Sequence, residues 1–326
     1  MKNLVFHVGL MKSGTTYLQE ILSTNKESLR ENGWDYPGKR LNQQHACYSL
    51  CGPDIPWVKT QYPAQLGRDL VRSLKSAKGN LILSAEALST LDAAGVDRFF
   101  EIVGKPDKVV FTVRGLFRIL PSAWQQYLKG GGRTNFLQFI DKLAEQRRDL
   151  CGFWKTYAYG HAIQHWARYA PVEVVIVPAK RKSEHELWHL FQAATGIPDV
   201  PGLEVPAERA NLSLDIETAH VLRHINKLLP KQSANSDRLR AAYLEKGVFA
   251  LATKTGGTRI GFPEKAESQV DGWNREEYDL LMKHSSEIHG DGQSLLDVGE
   301  MMRSAIRKDA NKMAKVVAQQ IVALLS

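Results

Sequence analysis

The first apolar residues fall in one short continuous run, Leu4 to Val8. A turn-rich stretch from Gly9 to Gly14 follows, and then Leu18, Ile21 and Leu22 recur at helical spacing. The pattern predicts a strand, a loop and a helix. Three further β-rich runs, Asn80 to Ser84, Lys108 to Val113 and Val172 to Val177, are separated by helical patterns. Near-continuous apolar strands of this kind are buried on both faces, as parallel strands are when helices cover the sheet. The expected class is therefore α/β, a three-layer parallel sheet flanked by helices. Helices are expected at about Ser122 to Lys129, Phe136 to Arg148, Tyr157 to Tyr169 and Glu184 to Thr195, the last ended by Gly196 and Pro198. Beyond Pro206 the β signal disappears. Ile216 to Leu229 and Met301 to Leu325 read as amphipathic helices, and Thr253 to Gly272 as a loop. The organisation expected is one domain over residues 1–326, with an α/β core in 1–206 and a mainly helical region in 207–326.

Composition narrows this picture only a little. A chain of 326 residues with 43% apolar and 24% charged positions is neither disordered nor fibrous, and it is long enough to bury a real core. Three cysteines, Cys47, Cys51 and Cys151, with no C-x-x-C pair, argue against a disulfide framework or a zinc ribbon and for a reducing, cytoplasmic setting. Cys47 and Cys51 read as two small residues on a helix. No apolar run approaches the ~18–20 residues that span a bilayer. His7 and Gly9 interrupt what would otherwise pass for a short signal peptide. The net charge of +8 suggests an anionic partner without choosing among nucleotide, nucleic acid, glycan and membrane surface.

Candidate chemistry concentrates in the first loop, Gly9-Leu-Met-Lys12-Ser13-Gly14-Thr15-Thr16. Its glycines allow tight turns, its amides and the helix N-terminus attract an anion, and Lys12 adds a point charge. A Walker A motif places its lysine after the last glycine, whereas Lys12 precedes Gly14. A magnesium-dependent NTPase also needs an acid at the end of a neighbouring strand. None of the later strands ends in Asp: they run into Ala85-Glu86, Arg114 and Pro178. The cradle reads as one for an anion held without metal.

Phe6 to Gln19, with Lys12-Ser13-Gly14-Thr15-Thr16 at its centre, resembles the 5′-phosphosulfate loop of sulfotransferases that use 3′-phosphoadenosine 5′-phosphosulfate (PAPS), bacterial members above all. Arg114, ending a strand, and Ser122, eight positions on, resemble the pair that binds the 3′-phosphate in that family. Weaker similarities at Asn25 to Pro37 and at Arg209-Ala-Asn211-Leu-Ser213-Leu214 extend the resemblance over roughly residues 3–215. It implies a P-loop NTPase-like sulfotransferase fold. The reaction implied is in-line sulfuryl transfer from PAPS to a hydroxyl or amine, with 3′,5′-adenosine bisphosphate as the product and no metal. Lys12 would stabilise charge on the leaving oxygen, and Ser13, Gly14, Thr15 and Thr16 would hold the 5′-phosphosulfate through their amides and the threonine hydroxyls. The acceptor must lose a proton to a base. Glu86 is the first choice, because it follows a strand whose C-terminal end faces the same crevice as the loop, and His45 is the second. Family analogy favours a carbohydrate or glycolipid acceptor. The alternatives are a P-loop nucleotide kinase or NTPase, and a nucleotide-binding module without catalysis.

Other signals weigh less. His185-Glu186-Leu187-Trp188-His189 spells H-E-x-x-H, but Leu187, Trp188, Leu190 and Phe191 mark a buried stripe and no third zinc ligand is evident. His161 and His165 repeat the spacing with less support. The basic residues are scattered, with Lys180-Arg181-Lys182 the one compact run, so nucleic-acid binding is not expected. Trp34, Trp57 and Trp124 offer either sugar-stacking faces or buried anchors. The C-terminal helix packs either on its own domain or on a second copy in a homo-oligomer.

Overall fold

The computed structural model describes residues 2–51, 62–180, 182–205, 214–230, 260, 262–298 and 308–325. By their internal contacts they form two units, one of Met1–Gly115, Gln146–Arg209 and Asn274–Leu296, the other of Leu116–Glu145, Ala210–Trp273 and Asp297–Ser326.

In chain order the first unit begins with β1 (Leu4–His7), α1 (Thr15–Thr24), α2 (Lys26–Glu31), β2 (Trp34–Asp35), α3 (Gln44–Cys51), α4 (Ala64–Ser76) and β3 (Asn80–Ser84). After a 3-10 turn over Glu86–Thr90 come α5 (Ala93–Val103) and β4 (Lys108–Val113). Two helices that belong mainly to the second unit follow, α6 (Leu116–Lys129) and α7 (Phe136–Arg147). The first unit resumes with α8 (Trp154–Tyr157), α9 (Tyr159–Trp166), β5 (Val172–Ile176) and α10 (Glu186–Thr195). The remaining elements are α11 (Ile216–Leu228), α12 (Glu267–His284), β6 (Glu287–His289) and α13 (Lys308–Leu325).

The six strands form one parallel sheet in the order β2-β3-β1-β4-β5-β6. Burial on both faces explains the unbroken apolar runs. On one face Val5, Ile82, Val110 and Val175 pack with Leu18, Ile21 and Leu22 of α1 and Leu187, Trp188 and Phe191 of α10. On the other, Phe6 meets Phe99, Phe100 and Trp166 at ring distances of 5.7, 6.2 and 6.4 Å. The three-layer α/β reading therefore holds. Because all strands are parallel, the ends of β1, β3 and β4 carry the Lys12 loop, Glu86 and Arg114 at the same edge of the sheet.

The differences from the sequence reading have identifiable causes. β2 is two residues long, and β6 is a polar edge strand of three, too short for an apolar run to register. The expected helix at Ser122 begins at Leu116 and passes through Pro121, held by the buried face of Leu116, Phe117, Ile119 and Leu120. Packing here outweighs the lost backbone bond. The expected helix from Tyr157 to Tyr169 is two short ones, broken at Ala158. The expected loop over Thr253 to Gly272 lies partly outside the described residues, and its end is the start of α12. The buried stripe of that helix is Val270, Asn274, Glu277 and Leu281, so two of its four inward positions are polar and the apolar period is hidden. Of Met301 to Leu325, residues 308–325 are described and helical.

Those two polar residues are structural. Glu277, fully buried, accepts from the amides of Gly160 (2.7 Å) and His161 (3.2 Å) and from His161 Nδ1 (2.9 Å), and pairs with Arg147. It thereby serves the open amides at the start of α9 from another helix. Asn274 donates to the Leu295 carbonyl and accepts from the Tyr159 hydroxyl. Within the second unit α11 packs on α6 and α13, Trp124 stacks on Phe136 at 5.2 Å, and Asn226 donates to the carbonyls of Leu128 and Gly132. The C-terminal helix thus packs on α11 of its own chain. Glu277→Ala should cost about 2–4 kcal/mol in urea unfolding, since it leaves two helix amides unpaired in the interior and Arg147 with Glu276 as its remaining acid; a loss below about 1 kcal/mol would show the pair to be dispensable.

Candidate functional site

The loop between β1 and α1 is built on a chain of buried hydrogen bonds. Asn42 Nδ2 donates to Gln19 Oε1 (3.0 Å), and Gln19 Nε2 donates to Ser84 Oγ (3.0 Å). Ser84 Oγ lies 2.8 Å from His7 Nδ1, and His7 Nε2 lies 3.4 Å from Thr112 Oγ1. Thr112 Oγ1 is 2.9 Å from Ser13 Oγ, which donates to the Leu10 carbonyl. Ser84 Oγ thus accepts from Gln19 and shares a hydrogen bond with His7 Nδ1. The line ends where the Ser13 hydroxyl donates to the Leu10 carbonyl. Burial holds His7 neutral, its pKa pushed down to about 3.

The backbone completes the cradle. Val8 and Leu10 donate to the carbonyls of Val110 and Thr112, so the chain stays on β4 past the end of β1. Gly9 turns there with φ of 26°, and a Cβ at that point would lie 2.5 Å from Thr15 Cγ2 and 2.9 Å from His7 Nε2. Lys12 has φ of 67°, an uncommon conformation for a residue with a side chain and one that clusters at functional positions. Gly14, also left-handed, is the N-cap of α1 and gives it no side-chain cap. Asp92 and Asp215, in contrast, cap α5 and α11 with their carboxylates. The first backbone bond of α1 is Leu18 N to the Gly14 carbonyl, so the amides of Thr15 and Thr16 precede the helix's own ladder.

Each sequence candidate has a definite place. Glu86, delivered by the end of β3, is 9% exposed; its Oε1 accepts from Thr15 Oγ1 at 2.5 Å, and its Oε2 is buried without a hydrogen-bond partner. Lys12 is exposed as a residue. Atoms packed around its ammonium hold it below the ordinary lysine value, and the charge of Glu86 pulls it back up. The structure thus brings Lys12, Thr15 and Glu86 together. Ser13 is different from expectation: its amide donates to the Leu10 carbonyl at 3.3 Å and its hydroxyl belongs to the buried chain, so it shapes the loop from beneath. The Thr15 hydroxyl is likewise engaged by Glu86. Gly14 and Thr16 supply backbone at the helix start, and Thr16 is exposed.

His45, on α3, has its Nδ1 2.8 Å from Arg40 Nη1 and its ring stacked on Tyr62 at 4.7 Å. Burial and then the Arg40 charge push its pKa down. With Nδ1 taken by Arg40, the neutral ring carries its proton on Nε2. Arg114 directly follows β4 in the first unit and is half-buried; Ser122 lies on α6 in the second unit. Trp34 (4% exposed) and Trp124 (fully buried) are core anchors, not sugar platforms, and Trp57 lies outside the described residues. Asn25 ties α1 to a later loop through Glu204, while residues 209–213 lie outside the described set. In the H-E-x-x-H stretch both histidines are exposed, and Glu186 Oε2 accepts from the Lys182 amide.

Sequence reasoning missed the supporting cast, Gln19, Ser84 and Thr112, because single polar residues inside apolar runs carry no periodic signal. It also missed Tyr48 on α3. A cluster of Glu173, Glu287 and His289 offers ligand atoms within 4.8 Å of one another. Lys108 (2.6 Å) and His289 (2.7 Å) already satisfy the Glu173 carboxylate.

The neutral His7 gives a pH prediction. Its folded pKa lies below the ~6.5 of an unfolded histidine, so the contribution is complete above pH 6.5 and is lost as pH falls toward 3, at up to about 1.4 kcal/mol per pH unit. Between pH 7.5 and 5.0 the fall in urea-unfolding free energy should be about 2 kcal/mol smaller in His7→Gln than in the wild type. Equal falls would mean that His7 protonates without cost. Comparison of the chain with protein-family models, with curated proteins and with solved structures returned no match.

Proposed function

We propose that the chain is a PAPS-dependent sulfotransferase. The observation that carries this reading is the buried Glu86 carboxylate, held by Thr15 at the first turn of α1, beside Lys12 and with one oxygen unpartnered. An anion cradle, a cation and a carboxylate base at one strand edge are the groups that sulfuryl transfer needs. The P-loop-like sulfotransferase fold and the roles taken from the resemblance belong to the same proposal.

In this reading the amides of Gly14, Thr15 and Thr16 hold the 5′-phosphosulfate and Arg114 forks onto the 3′-phosphate. The acceptor oxygen forms its bond to sulfur as the bridging sulfur–oxygen bond breaks. The departing electron pair stays on the 5′-phosphate oxygen, where Lys12 offsets the charge, and the acceptor's proton passes to Glu86 Oε2. Glu86 is favoured over His45, whose open nitrogen already carries a proton. The acceptor is a hydroxyl or amine, with a carbohydrate or glycolipid favoured by family analogy alone.

One observation favours a second reading. A threonine hydroxyl facing a strand-end carboxylate is also a donor set that holds magnesium in nucleotide hydrolases, and Thr15 with Glu86 has that composition. Magnesium-dependent ATP hydrolysis abolished by Thr15→Val would support it over sulfuryl transfer.

With sulfur-labelled PAPS and an acceptor panel, Lys12→Ala should lower turnover by roughly a hundredfold or more, as loss of a charge-stabilising donor does. Glu86→Gln should retain donor affinity and lose transfer. Unchanged turnover in either variant would refute that residue's role, and His45→Ala reproducing the Glu86→Gln pattern while Glu86→Gln did not would move the base to His45.

A further inference from the structure

Beside Glu86 a second buried polar atom lacks a partner. Tyr48, on α3, is 4% exposed, and its hydroxyl has no hydrogen-bond partner. The Gln44 amide is next to it without reaching hydrogen-bond geometry. Its position is fixed firmly. Gln43, just before α3, accepts from the Ser84 amide through its side chain (2.7 Å) and donates to the Ser84 carbonyl through its own amide (3.1 Å). The helix therefore starts from the end of the strand that delivers Glu86, and it packs against the 3-10 turn that Glu86 opens.

The surroundings are apolar. Tyr48 packs with Ala87, the residue after Glu86, with Met11, the residue before Lys12, and with Tyr62, whose ring lies 4.9 Å away. The charge of Glu86 is felt at the phenol: burial, then Tyr62, then Glu86 raise its pKa. Buried polar atoms are nearly always paired, and two of the exceptions lie on elements in contact, α3 and the turn that Glu86 opens, which points to a group that arrives from outside. One oxygen can only accept, and the other can donate. A neutral alcohol hydroxyl answers both at once, donating to the carboxylate and accepting from the phenol.

We propose that Tyr48 and Glu86 together bind the hydroxyl of a neutral alcohol carried on an apolar body, and that Tyr48 is a positioning residue for the acceptor. What then happens to that hydroxyl rests on the sulfuryl-transfer reading; the binding does not. A polyol presented edge-on would bring several hydroxyls to two open partners, so Tyr48 and Glu86 favour an apolar-flanked alcohol over the carbohydrate that family analogy alone suggests.

The test uses the full chain and a matched pair of probes, benzyl alcohol and ethylbenzene, which differ by a hydroxyl in place of a methyl. Ligand-observed NMR should show the alcohol bound at least tenfold more tightly despite its greater affinity for water, and Tyr48→Phe and Glu86→Gln should each erase that preference. Thermal unfolding gives an independent readout: removing a buried, unpaired hydroxyl should leave the melting temperature of Tyr48→Phe unchanged or raised. A melting temperature lowered by several degrees, no alcohol binding, or a preference that survives Tyr48→Phe would each overturn the proposal. If the alcohol binds as expected but the protein takes up no 3′,5′-adenosine bisphosphate, the sulfotransferase reading fails and the alcohol site stands.

Discussion

Everything at the candidate site depends on one buried line of hydrogen bonds running from Asn42 through Gln19, Ser84, His7 and Thr112 to Ser13. It crosses β3, β1 and β4 beneath the loop, and from Gln19 to Ser13 every member is buried. A break at any point strands a polar group in the interior. The neutral state of His7 is the condition for it. A charged imidazole there would be a buried charge taken out of water, which is the cost that keeps the ring neutral.

The loop above inherits its shape from this foundation. Ser13 is pulled down onto Thr112, Lys12 takes a left-handed conformation one residue earlier, and Gly14 leaves the start of α1 without a side-chain cap. Thr15, the first residue of the helix, then meets the carboxylate that β3 delivers. The site is therefore made where three parallel strands end, the usual place for ligands in open α/β sheets. Two side chains there, Ser13 and Thr15, turn toward the protein.

Much of this was legible in the sequence, for physical reasons. Strands buried on both faces write themselves as apolar runs, so β1, β3, β4 and β5 were visible almost to the residue, and a glycine-rich loop with a lysine between strand and helix marks an anion cradle. Glu86 was placed near the loop because it follows a strand end, and it does meet Thr15 there. The rest was hidden by polarity in the wrong place: Asn274 and Glu277 interrupt the inward stripe of α12, His7 and Thr112 look like noise within strands, and β6 is too short to show a pattern. Read from the sequence, the Ser13 amide and the Thr15 amide and hydroxyl go to the ligand, whereas the Ser13 amide bonds the Leu10 carbonyl and the Thr15 hydroxyl bonds Glu86, directions that the sequence does not carry.

The most direct measurement is a calorimetric titration of the full chain, without added metal, against 3′,5′-adenosine bisphosphate, and separately against ATP with magnesium. A cradle for a sulfated adenosine nucleotide predicts saturable binding of the bisphosphate that is weakened at least tenfold by Arg114→Ala. Binding of ATP with magnesium and none of the bisphosphate would contradict it.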